Sequence, residues 1–404
     1  MTDVEIVTTQ PALEDLCGAW RQTGCLAFDT EFIRDETYEA ALCLVQVAAN
    51  GTTVLIDPTA DIDMSVFWGL VTDESVRVVV HAGKEDFEVC LRATGKPPRN
   101  VFDVQTAAGF VGYGYPLSLS RLVADVAGRR ITKAQTLTDW LRRPLTDAQV
   151  RYAVEDVVHL PGIHTKLARQ LDESGRTAWV TEELLRFEDP QYYQPPVQER
   201  LHRLKGTKRL DGLGLAVLER LIAWRDDWAK ERNRPLRALV RDDVLVEIAL
   251  RRPTRASDLE VLRGFPQARN RKVVKELLGV IAEASATPKS QWPVPFRPPR
   301  ETPAGKVMLD ILSAVTRATC EEAGVSHELV CTTQRLRELL DYCSGESGED
   351  PLLLRGWRAE FIGRRLVELL SGHSELHVSG WPEQPQLRVV THARRQRSDS
   401  RSAG

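Results

Sequence analysis

The sequence predicts an α/β domain built on a mixed sheet, followed by two all-helical domains. Three observations predict this. Short apolar runs of strand length crowd the first part of the chain, among them 26–32 (LAFDTEF), 41–49 (ALCLVQVAA), 53–56 and 76–80 (VRVVV), and such runs suit buried strands. After residue 196 the strand signal largely disappears and the apolar residues recur at helical spacing. Two stretches, 188–196 (EDPQYYQPP) and 287–303 with its six prolines, break every period and read as linkers. At 404 residues, two or three domains are expected.

In order, residues 4–8 read as a short strand and 11–22 as a helix. The run 25–29 is the first central strand. Asn50-Gly51 between 41–49 and 53–56 is the strongest short hairpin signal in the chain. A helix over 62–71 leads to the β-branched strand 76–80. From Gly83, Phe87, Val89, Cys90, Leu91 and Ala93 fall at helical spacing. A short strand at 101–102 enters another helix, and 117–126 and 146–171 are helical, the latter capped by Thr146. Alternating strands and helices with one hairpin imply antiparallel and parallel parts in one sheet. Beyond the first linker, 211–230, 241–250, 257–262 and 267–284 are helices, with Asp242 and Ser257 as N-caps. Beyond the second, helices are expected at 306–323, 332–342 and 357–370, separated by the acidic turn GESGEDP. The two helical segments read as distant copies of one another. The polar end, 391–404, is expected to be disordered.

Composition narrows the function classes. Hydrophobic content of 42% and charged content of 27% are those of a soluble globular protein. No apolar run approaches a membrane span, and the N-terminus lacks a basic segment followed by an apolar one, so no signal peptide is expected. Seven scattered cysteines without a CxxC pair point to a reducing compartment, with the cytoplasm as default. No GxxxxGK[ST] loop occurs, so no nucleoside triphosphate is an expected partner. The net charge of −3 conceals an asymmetry: residues 1–196 hold 18 basic and 29 acidic side chains, whereas 197–280 hold 20 and 12. A basic module beside an acidic one suggests a polyanion held by the middle segment. An ordinary Arg-rich helical surface gives the same count.

The acids that carry chemistry begin with Asp29 and Glu31. In a strand, residues i and i+2 leave the same face, so these carboxylates point together at the end of a buried strand. Their repulsion is relieved by a cation, and oxygen-only ligands suit a hard ion such as Mg²⁺ or Mn²⁺. Two solvated acids at a strand end is the bland reading of the pair alone. Asp86 follows strand 76–80, in the first turn of the next helix, where an acid faces the positive end of the helix dipole. Open α/β sheets place their sites at such strand ends. His81 reads as a hydrogen-bonded structural residue. Tyr152 and Asp156 are four apart on a helix and share one face.

Together, Asp-x-Glu, an Asp about 55 residues on and Tyr-x-x-x-Asp on a later helix resemble the DEDD 3′–5′ exonuclease superfamily in its tyrosine-bearing branch. FDTEFIRDETYEAALCLVQVA, HAGKEDFEVC, FDVQTAAGFVG, TDWLRRPL and QVRYAVEDVVHL are similar, segment by segment, to the ribonuclease D family. The resemblance implies a ribonuclease H-like exonuclease domain over 1–190, an HRDC nucleic-acid-binding domain over 208–287 and a second, HRDC-like domain over 304–372. Glu39-Ala40 departs from the aromatic-proline context expected there, which puts a substrate contact in doubt. The resemblance further implies two divalent cations held by Asp29, Glu31, Asp86 and Asp156. Asp29 would bridge both ions, Glu31 and Asp156 would complete one site, and Asp86 would serve the other. Tyr152 would orient the attacking water as a neutral phenol. The implied activity is exoribonucleolytic trimming of 3′ extensions on structured RNA precursors, tRNA above all, with release of nucleoside 5′-monophosphates. Arg34, Lys84 and Lys133 would meet the scissile strand. Lys205, Lys208, Arg209, Arg225, Arg232, Arg234 and Arg237 are candidates for phosphate contacts. Trp224 and Trp228, i and i+4, read as core packing or as a base-stacking platform. The rival readings are a DNA 3′–5′ exonuclease of the same superfamily, a helicase-associated nuclease, and a non-catalytic RNA-binding protein on a dead nuclease fold.

Overall fold

The computed structural model describes residues 4–34, 37–131, 139–295, 302–380, 382–383 and 386–391; Lys133 and nearly all of the expected tail lie outside them. The first part of the chain forms β1 (Glu5–Val7), α1 (Gln10–Thr23), β2 (Cys25–Ile33), β3 (Ala41–Ala49), β4 (Thr52–Ile56), α2 (Ser65–Val71), β5 (Arg77–Val80), α3 (Lys84–Thr94) and β6 (Val101–Asp103). The six strands make one sheet in the order β1-β4-β3-β2-β5-β6. Pairing is antiparallel for β2/β3 and β3/β4 and parallel elsewhere. Asn50 and Gly51 both take positive φ, 54° and 76°, as a two-residue type I′ hairpin turn requires. β2 is central, and its alternation decides what lies on each face. Phe28 packs edge-on against Phe67, Trp68 and Phe87, on the α2/α3 side. Its neighbour Asp29 is therefore turned to the other face.

That other face is covered by α6. Between come α4 (Val104–Gly109) and α5 (Leu119–Leu122), which runs into a π-helical turn, Val123–Ala127; then follow α6 (Asp147–Val157), α7 (Leu160–Glu173) and α8 (Thr177–Leu184). Thr146 and Gln149 form a capping box at the start of α6, which sets where this helix begins. Its buried line is Gln149, Ala153 and Val157; of Val150, Val154 and Val157, which apolarity alone assigns to the core, Val157 is fully buried and the other two are half-buried. Ala153 packs with Leu44 and Leu55 from the sheet.

The expected first linker is ordered: α9 (Pro190–Tyr193) buries Tyr193, whose hydroxyl donates to the Phe187 carbonyl at 2.6 Å. After α10 (Val197–Arg203) comes a helical module: α11 (Gly212–Glu231), α12 (Leu236–Leu239), α13 (Asp242–Arg251), α14 (Ala256–Glu260) and α15 (Arg271–Ser285). It has its own apolar core. Two expected caps are not caps. Asp242 is the first residue inside α13 and Ser257 lies within α14, with Arg241 and Arg255 at the N-cap positions. Both remain in first turns, where a short polar side chain is tolerated.

The third segment contains α16 (Pro303–Ala323), α17 (His327–Val330), α18 (Thr333–Cys343), α19 (Gly356–Arg358), a π-helical turn and α20 (Arg364–Leu370). It ends in a hairpin that the helical reading did not contain, β7 (Ser374–Ser379) with β8 (Gln386–Thr391). This segment has no separate core: its apolar residues join those of the nuclease sheet in one cluster. Trp357 is the wedge. It stacks on Trp179 of α8 at 5.8 Å and meets Phe110 edge-on at 4.9 Å. Ser326 donates its N–H to the Gly109 carbonyl at 2.7 Å, and a Cβ on Gly109 would lie 2.6 Å from Leu329. Glycine there lets the two backbones touch. No described helix is long and apolar enough to cross a membrane.

Candidate active site

Three elements, β2, α3 and α6, deliver the site. Asp29 and Glu31 project from the same face of β2, opposite Gln46 and Leu44 of β3. The register shifts immediately after Glu31, and such a bulge re-aims the strand where a site needs it. Asp86 is the third residue of α3. β5 runs parallel to β2, with Val79 beside Ala27, so the β5-to-α3 turn arrives next to Asp29. Thr30, between the two strand acids, donates its hydroxyl to Asp86 Oδ1 at 2.5 Å. Asp103 steadies the turn from below by accepting the Gly83 N–H at 3.2 Å while capping α4 through the Thr106 N–H. A side chain at Gly83 would force its surroundings to shift, because a Cβ would sit 2.6 Å from Val80 Cγ2.

Tyr152 and Asp156 come from α6, which is tied to the sheet just ahead of its start. Arg143 grips buried Asp57 through two nitrogens, at 2.5 and 2.6 Å, and donates to the Cys43 carbonyl at 2.8 Å. Trp140 lies 5.9 Å from the Tyr152 ring. Neither Asp57 nor Arg143 stood out in the sequence, since they are 86 residues apart.

The acids and the phenol are close enough to set one another's ionisation. Burial, then the charges of Asp86, Asp156 and Glu31, holds the Asp29 carboxyl well above the usual range. Glu31 is pushed up to about 8 by burial and by Asp156 and Asp86. Burial chiefly raises Asp86 and Asp156 to about 6 each. The Tyr152 hydroxyl donates to Asp156, and burial with the nearby carboxylates raises its pKa far above neutrality, so the phenol stays protonated. Among the described residues no three His, Cys, Asp or Glu side chains are closed around one point. Bringing these four together costs like-charge repulsion, which either protonation or a bound cation relieves. Asp156 Oδ2 is buried without a hydrogen-bond partner, which is the state of an oxygen placed to ligate. An all-oxygen donor set of this kind fits a hard divalent ion.

Arg34 sits over the Phe32 ring at 4.7 Å and pairs with Glu88 at 3.2 Å and Glu85 at 3.7 Å. Lys84 places its ammonium over Tyr192, 4.5 Å from the ring centre. His81 Nε2 is hydrogen-bonded to the Leu117 carbonyl at 2.9 Å. Lys205 and Lys208 are exposed on the helical module, and Arg209 reaches Glu247 at 3.4 Å. Arg225 is not available to phosphate. It is 4% exposed, pairs with Asp242 at 2.7 Å and donates to the Val240 carbonyl. Trp224 and Trp228 pack partly buried against the module's core, Trp228 beneath Arg232. Sequence reasoning missed a cleft of about 670 Å³ between nuclease and helical module, lined by Arg34, Tyr38, Arg92, Arg200, Lys230 and Arg237 among others. Asn233 joins the module to the nuclease segment that lines the cleft, accepting the Tyr38 and Glu39 N–H groups at 3.1 and 3.4 Å.

Comparison with known proteins agrees with this architecture. Residues 4–172 match a 3′–5′ exonuclease family and residues 214–281 the HRDC domain family. The chain is 36% identical to ribonuclease D of Pseudomonas paraeruginosa, over 91% of this chain and 98% of the relative. It is 31% identical to ribonuclease D of Bartonella henselae, over 93% and 92%. The crystal structure of Escherichia coli RNase D, described as an exoribonuclease involved in structured RNA processing, superposes with a TM-score of 0.80 at 29% identity, covering 92% of this chain and all of that one. The chain therefore belongs to the ribonuclease D family of 3′–5′ exoribonucleases.

Proposed function

We propose that this exoribonuclease is divalent-metal-dependent, shortens 3′ extensions of structured RNA precursors, tRNA above all, and releases nucleoside 5′-monophosphates. The observation that carries the reading is the meeting of Asp29, Glu31, Asp86 and Asp156 beside a phenol that stays protonated. Asp29 would hold both ions, Glu31 and Asp156 one of them, and Asp86 the other; Mg²⁺ and Mn²⁺ both suit these oxygens. When bound, two such ions supply positive charge to the attacking water and to the leaving oxygen of an in-line displacement. Tyr152 is a hydrogen-bond donor throughout. It orients the water rather than taking its proton, because a phenol raised this far is not a base near neutral pH. The water gives up a proton to solvent as its oxygen bonds to phosphorus, the P–O3′ bond breaks, the O3′ of the shortened strand takes up a proton from solvent, and the released nucleotide keeps a 5′-phosphate. The presence of all four acids and the tyrosine argues against a dead nuclease fold.

The helical module supplies the cationic surface that the acidic nuclease part lacks. Lys205, Lys208, Arg209, Arg232, Arg234 and Arg237 are exposed on it, with Arg34 and Lys84 nearer the strand acids. We also propose that the third segment is a diverged copy of the HRDC module. The element lengths support it: helices of 20, 4, 10 and 15 residues in the first are matched by 21, 4 and 11 residues and the nearly continuous turn set 356–370. The test is incubation of 3′-extended tRNA with and without chelator. The expected result is a one-nucleotide product ladder with 5′-monophosphates, abolished by chelator. A ladder that persists in chelator, or nucleotides bearing 3′-phosphates, overturns the reading. Digestion of an all-DNA oligonucleotide as fast as its ribose-containing twin replaces RNA by DNA as the substrate.

A further inference from the structure

Within the ALCLVQVAA strand, one residue is polar. Gln46 is 0% exposed, and both its amide Nε2 and its Oε1 lack a hydrogen-bond partner. A buried amide with neither end satisfied is rare in a native structure, because leaving such groups unmet costs stability. A leucine or methionine at this position would remove that cost. Nothing in the packing of the strand calls for an amide, since its neighbours Leu44 and Ala48 on the same face are apolar and buried.

Its position supplies the reason. Gln46 stands directly across from Asp29 in the antiparallel β2/β3 register, so the two side chains leave the same face as nearest cross-strand neighbours. On the other side its register partner is Leu55 of β4. α6, with Tyr152 and Asp156, covers this part of the sheet. A second orphan lies in the same site: Asp156 Oδ2, a buried acceptor without a donor. An unmet donor thus sits beneath a group of carboxylates that includes an unmet acceptor.

We propose that Gln46 is a positioning residue for the strand carboxylate. Its Nε2–H donates to the Asp29 carboxylate when the acids draw together around cations, fixing which oxygen lone pairs remain for the ions. Partners of this kind orient ligating carboxylates and set metal affinity without touching the metal. The inference rests on the metal-dependent reading of the site given above.

The test uses the full-length protein and Mn²⁺ alone, read by electron paramagnetic resonance titration without RNA, beside thermal melting in chelator. Gln46→Met keeps the volume and removes the amide; Gln46→Asn keeps an amide but withdraws it by one methylene. For Gln46→Met the expected result is a metal-free melting temperature at or above that of the unaltered protein, with Mn²⁺ affinity 10- to 100-fold weaker. With RNA, kcat falls while KM is unchanged. Gln46→Asn is expected to weaken Mn²⁺ binding as well. A Met variant that binds Mn²⁺ as tightly as the unaltered protein overturns the proposal. So does one that fails to fold while Gln46→Asn folds and binds normally, because the amide is then structural. Asp29→Asn separates the two levels: if it abolishes Mn²⁺ binding while Gln46→Met does not alter it, only the role of Gln46 fails. If the unaltered protein binds no Mn²⁺, the metal-dependent reading fails too.

Discussion

Glu183 offers the sharpest test of how the third segment is attached. This α8 carboxylate is 9% exposed and receives three donors: Arg186 Nη1 at 2.8 Å, Arg358 Nη2 at 2.8 Å and the Trp357 indole N–H at 3.2 Å. Two of the three come from the third segment. Glu183→Ala leaves the Arg358 guanidinium, 5% exposed, without a counter-charge. It keeps its carbonyl partners, Leu329 and Val330, and the Trp357 ring 4.4 Å away, none of which carries a counter-charge. Breaking a buried pair by removing one member costs about 3–5 kcal/mol. Because the nuclease sheet and the third segment share one core while the HRDC module has its own, calorimetry should resolve two transitions. At about 2–4 °C per kcal/mol for a body of this size, the transition of the shared core should fall by roughly 6–20 °C and the HRDC transition should stay. Glu183→Leu combined with Arg358→Met should recover part of the loss, since the buried Arg358 charge is then gone and only Arg186, whose side chain is 28% exposed, is left without its carboxylate. A shift below about 2 °C in Glu183→Ala, or a double variant no better than the single one, would refute the reasoning.

Arg143→Met should destabilise the protein by about 2–3 kcal/mol, by stranding buried Asp57 and loosening the anchor of α6; kcat should drop with it, and unchanged turnover in a folded variant would separate the anchor from the site. Gly83→Ala should cost about 1–3 kcal/mol by overpacking against Val80 and lower turnover through Asp86, as urea melts and steady-state rates would read. His164 is held near pKa 4 by burial and by Arg77, against 6.5 for the free side chain. The unfolded chain therefore takes up a proton below pH 6.5 that the folded chain refuses until about pH 4. The stability present above pH 6.5 is lost as pH falls across that window. His164→Gln should flatten this part of the urea-midpoint profile, and a profile with the same slope would contradict it.

What could be read from the chain followed the range of each signal. Strand alternation is local, so the shared face of Asp29 and Glu31 was legible, as was the Tyr152/Asp156 stack one helical turn apart. Asn50-Gly51 announced its turn because both residues had to accept positive φ. Pairings of long range were not legible. Trp357 and Glu183 meet across 174 residues, so the third segment read as an independent helical body although its core is continuous with the sheet. Counting charges treated Arg225 like its exposed neighbours, while its partner Asp242 and the Val240 carbonyl hold it inside. The terminal hairpin escaped because SELHVS is half polar and largely exposed, too weakly patterned to read as a strand. Gln46 was hidden in the opposite way: one polar residue in an apolar run does not disturb the strand reading, and only the register reveals that it faces Asp29.

The central claim is that catalysis depends on the carboxylate cluster rather than on the RNA-gripping surface. The most direct measurement is single-turnover trimming of a 3′-extended tRNA by Asp29→Asn, alongside its RNA dissociation constant at the same salt. The account predicts loss of turnover to background with RNA affinity within about threefold of the unaltered protein, as follows from the proposal that the basic helical module carries the binding. Retained turnover, or loss of turnover that merely tracks a loss of RNA binding, would contradict it.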